Sequence, residues 1–146
     1  MYKKILVPLD GSQRAEAIIP HVEDLASRHQ STILLLQIVE PTIAYASPYD
    51  VYPELSLEDA ERRAKDVSVY LSNLARRFQG EGVRTQCHVE QGPVVTTILD
   101  LANSEDVDLI AMASHGRSGL ARVFYGSVAA GVLSHVDRPL LLVRSQ

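Results

Sequence analysis

Hydrophobic positions along this chain fall into two kinds of run. Short, uninterrupted apolar stretches occur at Lys4 to Asp10 (KILVPLD), Ser31 to Glu40 (STILLLQIVE), Val107 to Ala113 (VDLIAMA) and Arg138 to Arg144 (RPLLLVR). Continuous runs of this length predict strands buried on both faces of a sheet. Val83, Thr85, Cys87 and Val89 instead alternate with polar neighbours, which predicts a further, half-exposed strand. Between the strands, apolar residues recur at helical spacing: Ala15, Ile18, Ile19, Val22, Leu25 and Ala26, then Ala60, Ala64, Val67, Leu71, Leu74 and Phe78. Two shorter helices are predicted, one carrying Ile98, Leu101 and Ala102, the other from Gly126 to His135.

Local signals punctuate these elements. Asp10-Gly11-Ser12 is turn chemistry, with Ser12 available to cap the first helix. Pro20 falls inside that helix and predicts a kink, because proline removes one backbone bond. Ser56 with Asp59 is a capping signal for the long second helix, and Gly80 a C′ stop. Gly92-Pro93 opens the third helix, proline being suited to a first turn. The segment Pro41 to Pro53 carries Tyr45, Tyr49 and Tyr52 and reads as a long loop, an element that is usually functional or disordered.

Strands and helices therefore alternate over residues 1–146 as one domain, β-α-β-α-β-α-β-α-β, without internal repeat or linker. That order predicts an α/β fold: a doubly wound, five-stranded parallel sheet with helices on both faces. Such sheets bind ligands at the carboxyl ends of their strands, where the strand order reverses. If Asp10 and the glycine-rich stretch after the fourth strand serve one ligand, those strands are neighbours and the order is 3-2-1-4-5.

Composition narrows the function classes. The apolar fraction of 46% and charged fraction of 22% over 146 residues are those of a globular domain. A net charge of −4 gives no general pull toward nucleic acid or anionic lipid. No window approaches a membrane span, and the apolar run at the N-terminus is too short for a secretory signal, so the cytoplasm is expected. The single Cys87 fits a reducing compartment and reads as a small buried hydrophobe on its strand.

The stretch after the fourth strand, SHGRSGLARVFYGSVAA, raises the question of an anion site. Glycines at 116, 119 and 126 let a ligand approach the main chain, and a helix N-terminus beside them favours phosphate. Ser127 adds a hydroxyl, and Arg117 and Arg122 add charge. The same residues also suit an ordinary strand-to-helix connection with solvated arginines. Neither a Walker A loop nor a G-x-G-x-x-G fingerprint is present. Leu120, Val123 and Phe124, at helical spacing, read as an inward-packed turn.

ILVPLDGS near the start, Gly92-Pro93, VDLIAMASHGRSGLARVFYGSVA and RPLLLVR together resemble the universal stress protein family nearly end to end. Its ATP-binding members carry G-x2-G-x9-G-[ST] after the fourth strand. Gly116 matches the second glycine, nine residues from Arg117 to Tyr125 follow, and Gly126-Ser127 complete the pattern. Ala113 stands where the first glycine would be. That change is harmless if the position merely ends the strand in an extended conformation, and crowding if the position contacts the ribose or needs positive φ.

The resemblance implies an ATP site, with AMP or ADP as alternatives and Mg²⁺ carried by the phosphates. Its residues would be Pro8, Asp10, Ile38, Ala113, His115, Gly116, Arg117, Gly119, Gly126, Ser127 and Val128. Asp10 would lie at the adenine–ribose side, away from the phosphates it would repel. Ile38 would offer its main chain to the adenine edge, and Gly92 would let its loop close over the same end of the sheet. His115 would donate to a phosphate or pack. A homodimer through the last strand, Leu140 to Val143, is implied as well, since an apolar edge strand needs cover. No metal-ligand spacing, nucleophile elbow or positioned base is apparent, so the expectation is a binding protein, with slow ATP hydrolysis at most. A protein of the same fold that binds no nucleotide is the alternative.

Overall fold

The computed structural model describes residues 1–39, 53–115 and 126–145; the expectations for Pro41 to Tyr52 and for Gly116 to Tyr125 lie outside these. The elements are β1 (Lys4–Leu9), a 3₁₀ turn (Ala15–Ile18), α1 (Ile19–His29), β2 (Thr32–Val39), α2 (Pro53–Gly80) and β3 (Arg84–Gln91), continuing with α3 (Val94–Ser104), β4 (Leu109–His115), α4 (Ser127–His135) and β5 (Leu140–Ser145). The strands form one parallel sheet in the order β3-β2-β1-β4-β5, the doubly wound arrangement the sequence predicts.

Apolar continuity along β1, β2 and β4 follows from burial on both faces. Ile5, Val7, Ile33 and Leu35 pack under α1 and α2, with Ile18, Val22, Leu71 and Phe78. Leu6, Leu34, Leu36 and Ile110 face the other way, against Ile98 and Ala102 of α3 and Ala129 and Val132 of α4. At the amino end of the sheet, the Asp108 carboxylate accepts the Lys3 and Lys4 N–H groups at 2.7 and 2.8 Å. Arg138, only 16% exposed, donates through Nη1 to the carbonyls of Ala102 and Val107 at 2.7 and 3.0 Å, tying the end of α3 to the approach to β5.

Several local expectations are corrected. Pro20 causes no mid-helix kink: the chain makes a separate 3₁₀ turn first, and Pro20 occupies the opening turn of α1, where no intrahelical N–H is required. Helix α2 begins at Pro53, so Ser56 lies inside its first turn and is not its N-cap. Gly80 is the last residue of α2, and the left-handed position belongs to Gly82, at φ +77°. Cys87 is exposed, not buried, because β3 is an edge strand and not a central one. Strand β4 runs two residues further than expected: Ser114 and His115 pair with Arg144 and Ser145 and are not loop. Buried Ser145 secures that extension by donating its hydroxyl to the Ser114 carbonyl at 2.9 Å.

Candidate functional site

Pairing between β1 and β4 covers Ile5↔Leu109 and Leu6↔Ile110, whereas β1 and β2 stay in register to Leu9↔Gln37. Pro8, lacking an N–H, stands where the ladder toward β4 has ended. The strands on either side of the switch point therefore part at their carboxyl ends. A cavity of about 660 Å³ opens there, within the range of small-molecule sites.

Seven of the implicated residues line it: Pro8, Asp10, Ile38, Ala113, Gly126, Ser127 and Val128. They come from the ends of β1, β2 and β4 and from the start of α4. His115 is the last residue of β4, and its side chain lies outside the described ones. Gly116, Arg117 and Gly119 lie outside the described residues.

Each wall residue has a local reason for its place. Asp10 accepts the Ser12 N–H at 2.8 Å, and Ser12 Oγ accepts the Ala15 N–H at 3.2 Å, so the turn leading into the 3₁₀ segment builds itself. Asp10 thus forms the turn and also borders the cavity. Ala113 is paired with Val143 inside β4 and is not among the positive-φ residues. Its methyl group meets no backbone strain, so the departure from glycine at this position is conformationally harmless.

Gly126 is the N-cap of α4 at φ −51° and ψ 158°, and no side chain among the described residues caps the helix. Its carbonyl accepts the Ala130 N–H at 2.9 Å, closing the first helical turn. The first-turn amides at the cavity wall carry the positive end of the helix dipole. Gly92, at φ +134°, takes a conformation that side chains rarely adopt, and a Cβ there would meet Thr97 Oγ1 at 3.0 Å. It precedes Pro93, the N-cap of α3, whose first residue Val94 lines the cavity.

Sequence reasoning missed part of the wall. Gln37, Arg63, Asp66, Val94 and Met112 also line the cavity. Gln37 had a visible signal, as the one polar residue inside ILLLQIV. Arg63 and Asp66 had none, since a charged helix face normally reads as solvated surface. The neighbouring Tyr70 hydroxyl donates to Glu16 Oε1 at 2.7 Å. Burial, that hydrogen bond and the charges of Glu16 and Asp10 push its pKa well above the ordinary tyrosine range. Among the described residues no group of three His, Cys, Asp or Glu side chains is arranged to hold a metal. No described helix is long and apolar enough to cross a membrane.

Fold and cavity together define a doubly wound α/β protein with a ligand-sized site at its topological switch point. The family model "Universal stress protein family" matches residues 1–144, and the chain belongs to that family. Universal stress protein Sll1388 of Synechocystis sp. is 28% identical over 98% of both chains. Universal stress protein MJ0577 of Methanocaldococcus jannaschii is 27% identical over 99% of this chain and 96% of its own. A solved structure of MJ0577 superposes with a TM-score of 0.84 at 26% identity, covering 100% of this chain and 98% of that one. Two more distant structures of the same fold, each with a TM-score of 0.62, are a universal stress protein in complex with cAMP, at 18% identity, and one from Archaeoglobus fulgidus in complex with dAMP, at 17%. Each covers at least 97% of both chains.

Proposed function

We propose that this protein binds an adenine nucleotide, ATP in the first place, in the switch-point cavity. What carries the reading is convergence: Pro8, Asp10, Ile38, Ala113 and Gly126 to Val128, far apart in sequence, border one volume of about 660 Å³. The nucleoside would lie between Asp10 and Ile38, and the phosphates against the first turn of α4. Charge favours that orientation, because Asp10 repels a triphosphate and a helix N-terminus attracts one. The complexes of related folds with cAMP and dAMP support a site for adenine nucleotides in this architecture.

A divalent ion would be held mainly by the phosphates and water, as Mg²⁺ usually is. The role in this reading is nucleotide-dependent signalling in the cytoplasm, with hydrolysis at most slow. The alternative of a lost site draws on Ala113; its unstrained backbone in β4 supports the nucleotide reading over that alternative. A homodimer is part of the proposal: β5 is an edge of the sheet, and Leu140 to Val143 are only half-buried in the single chain. Mass spectrometry of small molecules released from freshly purified protein tests the ligand. An adenine nucleotide is expected; a different class of ligand would contradict the proposal.

A further inference from the structure

The cavity is wider than the motif that points to it, and its second wall belongs to the opposite face of the sheet. Side chains alternate along a strand. On β2, Leu34, Leu36 and Ile38 face α3 and α4, whereas Leu35 faces α1 and α2. Gln37 therefore faces the α1–α2 side, in register with Leu9. Both line the cavity there, with Ala15 and with Arg63 and Asp66 of α2.

The Gln37 amide lies against the turn after β1. A Cβ built on Gly11 would be 3.5 Å from its Nε2 and 3.8 Å from its Oε1, and Gly11 sits at φ +81°, a conformation that keeps the position free of a side chain. The Oε1 atom is buried and has no hydrogen-bond partner among the described residues. A buried amide oxygen left unpaired is destabilising and uncommon. Leucine or valine at 37 would continue the strand's apolar pattern without that cost. The orphaned acceptor belongs instead to a residue that lines a cavity large enough for a nucleotide.

We propose that Gln37 is a specificity-determining residue of this site, its amide turning toward the cavity on binding so that the oxygen accepts a hydrogen bond from an N–H or O–H of the nucleoside half of the ligand. The inference rests on the adenine-nucleotide reading above and adds a contact outside the glycine motif. The donor is the 6-amino group of the base or a ribose hydroxyl; ionised phosphates have no proton to give. Gln37 therefore discriminates among nucleosides and not among ATP, ADP and AMP. A neutral amide suits the position, because it can accept a hydrogen bond without adding a second negative charge beside Asp10.

The test is calorimetric titration of wild type, Gln37→Met and Gln37→Leu with ATP, AMP and three triphosphates lacking one donor each: purine riboside, 2′-deoxyadenosine and 3′-deoxyadenosine triphosphate. Methionine keeps the length of the side chain and removes its hydrogen bonding, and leucine provides a second apolar replacement. Urea unfolding of the free proteins should show both variants at least as stable as wild type, since the unpaired oxygen is gone. ATP and AMP should each bind the variants about tenfold more weakly. One donor-deleted analogue should lose a similar factor on wild type and lose nothing further on the variants. Equal ATP affinity in wild type and both variants would overturn the assignment, as would losses that simply add for all three analogues. A wild-type protein with no affinity for any of these nucleotides would overturn the nucleotide reading itself, an outcome distinct from binding that ignores residue 37.

Discussion

Gly131, in the middle of α4, is where two helices meet with no room to spare. A Cβ at this position would lie 2.7 Å from Val95 Cγ2 and 3.4 Å from Val95 Cγ1. Carbon atoms in contact prefer about 3.5–4.0 Å, so Gly131→Ala demands a separation of roughly 1 Å. Valine in a helix has essentially one rotamer, so the methyl group cannot swing aside and the helices themselves must move. Alanine gains about 0.8–1 kcal/mol in helix propensity over glycine. Overpacking of this kind costs about 1–3 kcal/mol. The balance is a net loss of about 1 kcal/mol, or roughly 2–4 °C in Tm for a domain of this size. Urea and thermal unfolding followed by circular dichroism would read it. In a double-mutant cycle, Gly131→Ala should cost less on a Val95→Ala background, because the clashing methyl groups are absent there. A Gly131→Ala protein as stable as wild type, or one whose cost is unchanged by Val95→Ala, would refute the packing argument. The consequence extends to the site, since α3 and α4 supply Val94 and Val128 to the cavity.

Two further outcomes follow from the described contacts. The raised pKa of Tyr70 means that its protonated form contributes stability fully below pH 10.0, the unperturbed value, and that this contribution is lost as pH rises toward the higher folded-state pKa. Absorbance titration should therefore show one late-ionising tyrosine that disappears in Tyr70→Phe, and the variant's stability should fall less steeply above pH 10.0; identical alkaline profiles would show that the Glu16 contact has no such effect. If β5 pairs with a second copy, sedimentation at micromolar concentration should give a dimer, and Leu142→Glu should give a monomer of unchanged secondary structure. A wild-type monomer would remove the dimer from the proposal.

The β-α alternation was readable because strands buried on both faces must be continuously apolar, as in KILVPLD and STILLLQIVE. The strand order was readable only through chemistry. Periodicity does not rank strands, but a shared ligand for Asp10 and the glycine stretch requires β1 beside β4, and they are neighbours. Details that depend on tertiary position were not readable. The burial habit of free cysteine suggested a buried Cys87, yet its place at the sheet edge leaves the thiol exposed. Nothing in RPLLLVR marks its first residue, Arg138, as a tie between elements, yet its guanidinium bonds carbonyls of residues distant in sequence. In the site, the wall built from strand ends and the start of α4 was legible from the motif. The α2 wall, with Arg63 and Asp66, was hidden because charge at helical spacing is the ordinary mark of a solvated face.

The nucleotide reading is tested most directly by titrating ATP and Mg²⁺ into wild type and Gly126→Glu under identical conditions. One ATP per chain is expected for wild type, with binding abolished in a variant that remains folded, since the new carboxylate would stand at the phosphate end of the cavity. Unchanged affinity in Gly126→Glu would contradict the placement of the phosphates at α4, and absence of binding in wild type would contradict the site.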